Sequence, residues 1–389
     1  MTHFAQRLSE VAAYFNHGDQ HLGYRRLLDA AIETGNFTVF EETLRFAHWY
    51  DHHEQEHEQV RTRVQDLLPL IGQGYRKQPT ADDPVKLQAR QVSKRYLNGH
   101  FSLAPLDVTL QEGQIVGLVG ENGNGKTTLL RLLYGELKPD SGGVDYRFRE
   151  TRSDRAAYAI KSAMAFVPQR PAAWYGSLRD NLQYAATYSG FTGRENELWT
   201  EMIIARMGLR PYRDYTWKQI SSGYKMRFEL ARTLMRRPEV LLLDEPLANL
   251  DMLAQQIILE DLRYLATSES MPLSIILSSQ QLYEVEKVSD EVIFLQKGVA
   301  RYQRTTADDA LQQTSPLVLE LEVAASRAEI EQLLEPLGLQ RLSFNGGVYI
   351  LYFVPGADMA AALSAIGQAR LPVKYLRDIS ISSRRFFDA

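Results

Sequence analysis

Residues 120–128 read Gly-Glu-Asn-Gly-Asn-Gly-Lys-Thr-Thr, after the apolar run Gln114-Ile-Val-Gly-Leu-Val119 and before Leu129-Leu-Arg-Leu-Leu133. The stretch satisfies G-x-x-x-x-G-K-[ST], and its flanks predict the strand-then-helix context in which such a loop binds phosphate. Gly123 and Gly125 permit a tight turn, so consecutive backbone N–H groups and the following helix N-terminus point at one anion. Lys126 adds a point charge for the β and γ phosphates, and Thr127 offers its hydroxyl to Mg2+. Gly120, Glu121, Asn122, Asn124 and Thr128 complete the predicted cradle. The chemistry expected of the loop is binding and hydrolysis of a nucleoside triphosphate.

Downstream, Val240-Leu-Leu-Leu-Asp-Glu-Pro246 has the composition of a buried strand that ends in two carboxylates. Asp244 can hold a metal through water, and Glu245 is placed to orient or deprotonate an attacking water. Phosphoryl transfer needs a metal-site carboxylate beside the loop, so this strand is expected to neighbour the strand that precedes Gly120.

Between the two motifs lies Ile220-Ser-Ser-Gly-Tyr-Lys-Met-Arg-Phe-Glu-Leu-Ala-Arg-Thr-Leu-Met-Arg-Arg-Pro238. With it, the order of motifs resembles the ATP-binding cassette (ABC) ATPases over about residues 85 to 298. Ile220-Ser-Ser-Gly-Tyr224 stands where the family has its LSGGQ signature. Leu243-Asp-Glu-Pro-Leu-Ala-Asn-Leu-Asp251 is similar to Walker B running into the D-loop. Phe166-Val-Pro-Gln169 is similar to the Q-loop, with Ser177-Leu-Arg-Asp-Asn-Leu182 after it, and Tyr96 matches the aromatic that stacks on adenine.

The resemblance implies ATP and Mg2+ as cofactors, with Thr127, Gln169 and Asp244 around the metal and Glu245, Lys126 and Gln280 as catalytic groups. It also implies a second copy of the chain, or a similar cassette, bound head to tail. Ser221 and Gly223, at a helix N-terminus that suits an anion, would then cap the partner's ATP, with Asp251 beside the same seam. Two departures stand out. Ser222 replaces the signature's first glycine and Tyr224 its glutamine. In Ser278-Ser-Gln-Gln-Leu-Tyr-Glu-Val-Glu286, Gln280 occupies the position of the switch histidine. Glutamine donates a hydrogen bond to a phosphate but cannot carry positive charge.

The rest of the chain bounds these expectations. At about 150 residues per domain, 389 residues suggest three domains. With 44% hydrophobic and 24% charged residues the composition is that of a globular protein. A net charge of -4 lacks the basic excess of a dedicated nucleic-acid binder, so no nucleic-acid partner is expected. The absence of cysteine excludes disulfides and thiolate chemistry and fits a cytoplasmic protein. The N-terminal residues lack the basic and apolar regions of a secretory signal, and no run of about 18 apolar residues occurs.

Residues 1–80 show apolar spacing of three and four in four stretches, which predicts an α-helical N-terminal extension. Residues 85–300 alternate strand and helix, which predicts an α/β domain on a largely parallel sheet; under the resemblance this is a P-loop NTPase domain of ABC type. Its predicted strands are Gln114–Val119, Met164–Val167, Val240–Asp244, Leu273–Ser278 and Glu291–Leu295. Residues 316–389 follow a βαββαβ pattern and predict a ferredoxin-like α+β accessory domain with a turn at Asn345-Gly346-Gly347. Polar linkers are expected at Gln78-Pro-Thr-Ala-Asp-Asp-Pro84 and at residues 303–315.

One motif points elsewhere. His53-Glu-Gln-Glu-His57 matches H-E-x-x-H, which on one helix would hold zinc. It lies in a charged run without a third ligand and reads as a solvated helix surface; Arg25, Arg26, Trp49 and Tyr50 read as a helix–helix interface.

The expected protein is therefore an ATPase subunit, peripheral on the inner membrane face, that drives a separate integral-membrane permease of exporter type. The alternatives are a soluble ABC ATPase acting on ribosomes or DNA, and a slow-hydrolysing nucleotide-gated module. Gln280 predicts turnover nearly free of a titration between about pH 6 and 8. A Gln280→His variant should acquire one, and ATPase pH profiles that are the same for both chains would refute this role for the residue.

Overall fold

The computed structural model describes residues 3–76, 84–96, 101–148, 156–248, 250–305, 316–345 and 347–380. The chain opens with four helices: α1 (His3–Asn16), α2 (Gln20–Thr34), α3 (Phe37–His53) and α4 (His57–Gly74). Their ends follow local chemistry. Asp19 and Asn36 cap α2 and α3 by accepting from Leu22 N and Thr38 N, and Gly35, at φ 60°, closes α2 in the left-handed conformation.

Next come β1 (Val85–Arg95), β2 (Ser102–Gln111), β3 (Ile115–Val119), α5 (Lys126–Leu133) and β4 (Ser141–Tyr146). Then follow α6 (Ala156–Ala163), β5 (Met164–Val167), α7 (Leu178–Tyr188), α8 (Gly193–Arg206), α9 (Ser222–Leu234) and β6 (Val240–Leu243). The segment closes with α10 (Met252–Ala266), β7 (Ser274–Ser279), α11 (Leu282–Glu286), β8 (Glu291–Gln296) and β9 (Val299–Thr305).

The main sheet has the order β5-β6-β7-β3-β8-β9 and is parallel except for β9. β3 and β6 are buried along their full length, as continuous apolar runs must be when helices cover both sheet faces. Gly117 in β3 lets α11 approach: a Cβ there would lie 2.3 Å from Val285 Cγ1.

The structure corrects one expectation and adds a layer. The strand bearing Asp244 does not neighbour β3, because β7 lies between them. In addition, β2-β1-β4 form a separate antiparallel sheet that the sequence reading did not foresee. The apolar alternation that would reveal β1 is broken at Gln91, which has φ 49°, and the register with β2 shifts between Ala89 and Val92.

The N-terminal helices share one core with the cassette: Leu27, Phe40 and Ile71 belong to the same buried cluster as Trp199, Ile203 and Leu262. Phe40 stacks on Trp199 with ring centroids 5.9 Å apart. Arg25, Arg26 and Tyr50 do serve as interface residues, through Asp261, the Tyr264 ring and the Tyr24 ring.

The last unit comprises β10 (Pro316–Val323), α12 (Arg327–Leu334), β11 (Leu339–Asn345), β12 (Val348–Pro355), α13 (Met359–Gln368) and β13 (Val373–Asp378). Its antiparallel order β11-β12-β10-β13 is the split βαββαβ arrangement, with its own core around Leu319, Ile330, Leu351 and Phe353. Gly346 of the expected turn and most of both expected linkers lie outside the described residues. Among the described residues, no helix is long and apolar enough to cross a membrane.

Candidate functional site

β3 ends at Val119 and the chain turns through the loop into α5, whose N-cap is Gly125. Gly123 and Gly125 have φ 82° and 102°, a region only glycine adopts without strain. Two further constraints hold the loop. A Cβ at Gly120 would lie 2.4 Å from Leu295 O, and the Asn124 side chain accepts from Lys297 N at 2.9 Å, bracing the loop from below. Glu121, Asn122 and Gly123 are exposed at its rim.

Lys126 is buried, and its Nζ donates to Gly120 O at 2.5 Å and Glu121 O at 3.2 Å while pairing with Glu245 Oε1 at 2.9 Å. The ammonium thus sits between the loop and the carboxylate. Thr127 Oγ1 donates to Asp244 Oδ2 at 2.7 Å. This donor set, a hydroxyl and a buried carboxylate as hard oxygen ligands, fits Mg2+. Tyr96, half exposed, brings its hydroxyl within 3.3 Å of Thr128 Oγ1 and so stands at the side of the loop.

Ser278, at the end of β7, is the group that joins these parts, and the sequence reading gave it no role. Its Oγ donates to Asp244 Oδ1 at 2.9 Å and accepts from Glu245 N at 2.9 Å. The second bond holds Glu245 at φ 51°, a conformation that costs a non-glycine residue energy unless its surroundings enforce it. A serine directly after the apolar run Ile275-Ile-Leu277 was the available signal.

The other predicted residues lie on further elements. Gln169 follows β5 and Gln280 follows β7, both exposed at the same strand ends. Ser221 is the N-cap of α9 and accepts from Tyr224 N, and Asp251 is the N-cap of α10 and accepts from Ala254 N at 2.9 Å. Gly223 faces α10, where a Cβ would lie 3.8 Å from Ala254 Cβ. His53 and His57 end on different helices: His53 Nδ1 lies 2.7 Å from Trp49 O, and His57 meets Gln20.

A glycine-turned loop, a buried lysine and a hydroxyl–carboxylate pair at the carboxyl end of a parallel sheet define a nucleotide-hydrolysing enzyme of α/β class. Comparison with known proteins narrows the class. Residues 103–248 match the family model described as "ABC transporter". The chain is 30% identical over 234 residues to the phosphonates import ATP-binding protein PhnC 1 of Ruegeria sp. (strain TM1040), covering 57% of this chain and 88% of that one. It is 28% identical over 198 residues to the ABC transporter ATP-binding protein NatA of Bacillus subtilis, covering 51% and 79%. To the "Probable multidrug ABC transporter ATP-binding protein YbhF" of Escherichia coli it is 32% identical over 224 residues, covering 55% of this chain and 38% of that one.

Among solved structures, cbiO1 from Clostridium perfringens, part of the ABC transporter complex cbiONQ, superposes with a TM-score of 0.53 at 22% identity. The match covers 66% of this chain and 96% of that one and speaks for the fold. The chain belongs to the ABC transporter ATP-binding proteins and is an ATPase.

The geometry predicts that Lys126→Ala abolishes nucleotide retention, because it removes the only cation among the described groups of the loop. Binding of a fluorescent ATP analogue measures this. Wild-type affinity in the variant would contradict the assignment.

Proposed function

We propose that two copies of this chain, or one copy and a similar cassette, close head to tail around MgATP and move a separate integral-membrane permease when the ATP is hydrolysed. The observation that carries this reading is the split of the machinery. Lys126, Thr127, Asp244, Ser278 and Glu245 form one connected cluster, while Ser221 caps a different helix and spends its hydroxyl on that helix's own first turn. A helix N-terminus of this kind is an anion site in want of a phosphate, and a second copy supplies one.

In this reading a phosphate oxygen entering the loop competes with Glu245 for the Lys126 ammonium. Glu245, released, faces the attacking water as general base, and Ser278 keeps its backbone in place. Thr127, Asp244 and Gln169 would hold Mg2+, which would supply positive charge beside the transferred phosphoryl group. Tyr96 stacks on the adenine, Gln169 and Gln280 contact the γ-phosphate side, and Asp251 faces the seam.

For the permease, the segment after Gln169 offers a docking face. Tyr175, Tyr184 and Tyr188 expose their rings, and single-turn spacing puts the last two on one side of α7. Exposed aromatics clustered in this way mark interaction surfaces. Export is proposed as the direction on the likeness to the multidrug-type protein, and a likeness of comparable size to an import protein makes direction the first property to test.

Glu245→Gln should stall hydrolysis and accumulate an ATP-bound dimer, visible as doubled mass in light scattering with MgATP; a monomer under those conditions counts against the closed pair. Detergent extracts should yield the wild-type chain together with a multi-span protein, and Tyr184→Asp/Tyr188→Asp should lose that protein while keeping basal ATPase. An unchanged yield would place the docking face elsewhere.

A further inference from the structure

Arg206 closes α8 and is buried, with its side chain 1% exposed. Its Nε donates to Asp29 of α2, and its Nη1 lies 2.9 Å from Asp261 Oδ1 of α10. Asp261 is shared with Arg25, and Asp29 also takes Arg26 Nη1 at 3.2 Å. Burial works against the Arg206 charge, but Asp261 and Asp29 outweigh it and hold its pKa above the ordinary arginine value. Such a network is a poor source of net stability, since desolvation offsets most of the attraction. What it fixes is geometry, because a guanidinium fork donates to two carboxylates in only a few arrangements.

That geometry lies on the route to the signature. Arg206 is followed by residues 207–220, which pack on α9 at three points. A Cβ at Gly208 would lie 3.1 Å from Arg227 Nη1, Tyr212 packs on Tyr224 with centroids 4.0 Å apart, and Trp217 meets Phe228 edge-on at 5.8 Å. This arm is therefore packed against α9, whose N-cap is Ser221. The arm and α9 meet α10 at two places: Gly223 of α9 comes near Ala254, where an added Cβ would be in van der Waals range, and Arg206 at the head of the arm pairs with Asp261. Those two contacts are about 10 Å apart along the helix, and the same helix begins at Asp251.

We propose that Arg206 is a positioning residue for ATP hydrolysis, and that Asp29 of the N-terminal helices completes it, so that Ser221 and Asp251 are presented to the second copy as one rigid unit. The N-terminal helices are on this account part of the catalytic assembly. Without Asp29, Arg206 would have to satisfy its buried charge on Asp261 alone, which Arg25 already claims, and the arm would lose its second fixed point on α10. The inference rests on the head-to-tail reading of Ser221 and Asp251.

The test uses the full chain and measures kcat, KM for ATP, binding of a fluorescent ATP analogue and thermal unfolding. Asp29→Asn keeps the shape and removes the charge. It should lower kcat about tenfold or more while nucleotide affinity stays within about twofold, the pattern of misplaced rather than missing groups. Arg25→Gln, whose side chain is 22% exposed and so tolerates the change, should show the same split with a smaller fall, about threefold. Arg206→Lys, which keeps charge without the fork, should not restore kcat.

Unchanged kcat, or kcat and affinity falling together with the folded fraction, overturns the proposal and leaves the network a structural tie. If Asp29→Asn does not fold, the Arg25→Gln result decides by the same criterion. The underlying reading fails separately: it falls if Glu245→Gln stays a monomer with MgATP, whatever the Asp29→Asn kinetics show.

Discussion

The site depends on a buried carboxylate that no neighbour in sequence supports. Asp244 lies at the end of β6, one strand removed from β3, and reaches the loop because Thr127 donates to one of its oxygens while Ser278 on the intervening β7 donates to the other. A carboxylate taken out of water at such a place is stable only if its oxygens are satisfied. Both partners are hydroxyls, which leave the charge available to a cation. Ser278 then extends the same constraint to Glu245, so the two acidic residues are placed by one side chain.

The parallel sheet explains why these groups meet at all. All strands that carry site residues end on the same edge, where α5 also begins, so the loop, Asp244, Glu245, Ser278, Gln169 and Gln280 converge without being close in the chain. The helices α7 to α9 lie outside the sheet, and α9 carries Ser221 as its N-cap. The N-terminal helices contact this helical region through Phe40 on Trp199 and through the Asp29–Arg206–Asp261 link.

The chain thus joins two kinds of constraint. Apolar packing makes the N-terminal helices continuous with the arm, since Leu27, Phe40 and Ile71 bury their side chains in the same cluster as Ile203 and Leu262. The buried ion network adds direction, which packing alone supplies weakly. The final βαββαβ unit has its own core and closes its own sheet, as a separately organised fold does.

What the sequence determined by itself was local. The loop, the helix after it, the buried strands and four amphipathic helices follow from glycine spacing, apolar runs and three-to-four periodicity, and α5 (Lys126–Leu133) stands where the loop's flanks predicted a helix. The antiparallel β1 escaped because a bulge at Gln91 breaks the alternation that marks a strand, and with it went its partners β2 and β4, which pair only with β1 in that sheet. Only the tertiary structure decided that β7 separates β6 from β3, that Ser278 joins their residues, and that Asp29 meets Arg206 and Asp261. The physical reason is range: hydrogen-bonded local structure is written in neighbouring residues, whereas the pairing of a buried charge is settled by which distant surfaces the apolar core brings into contact.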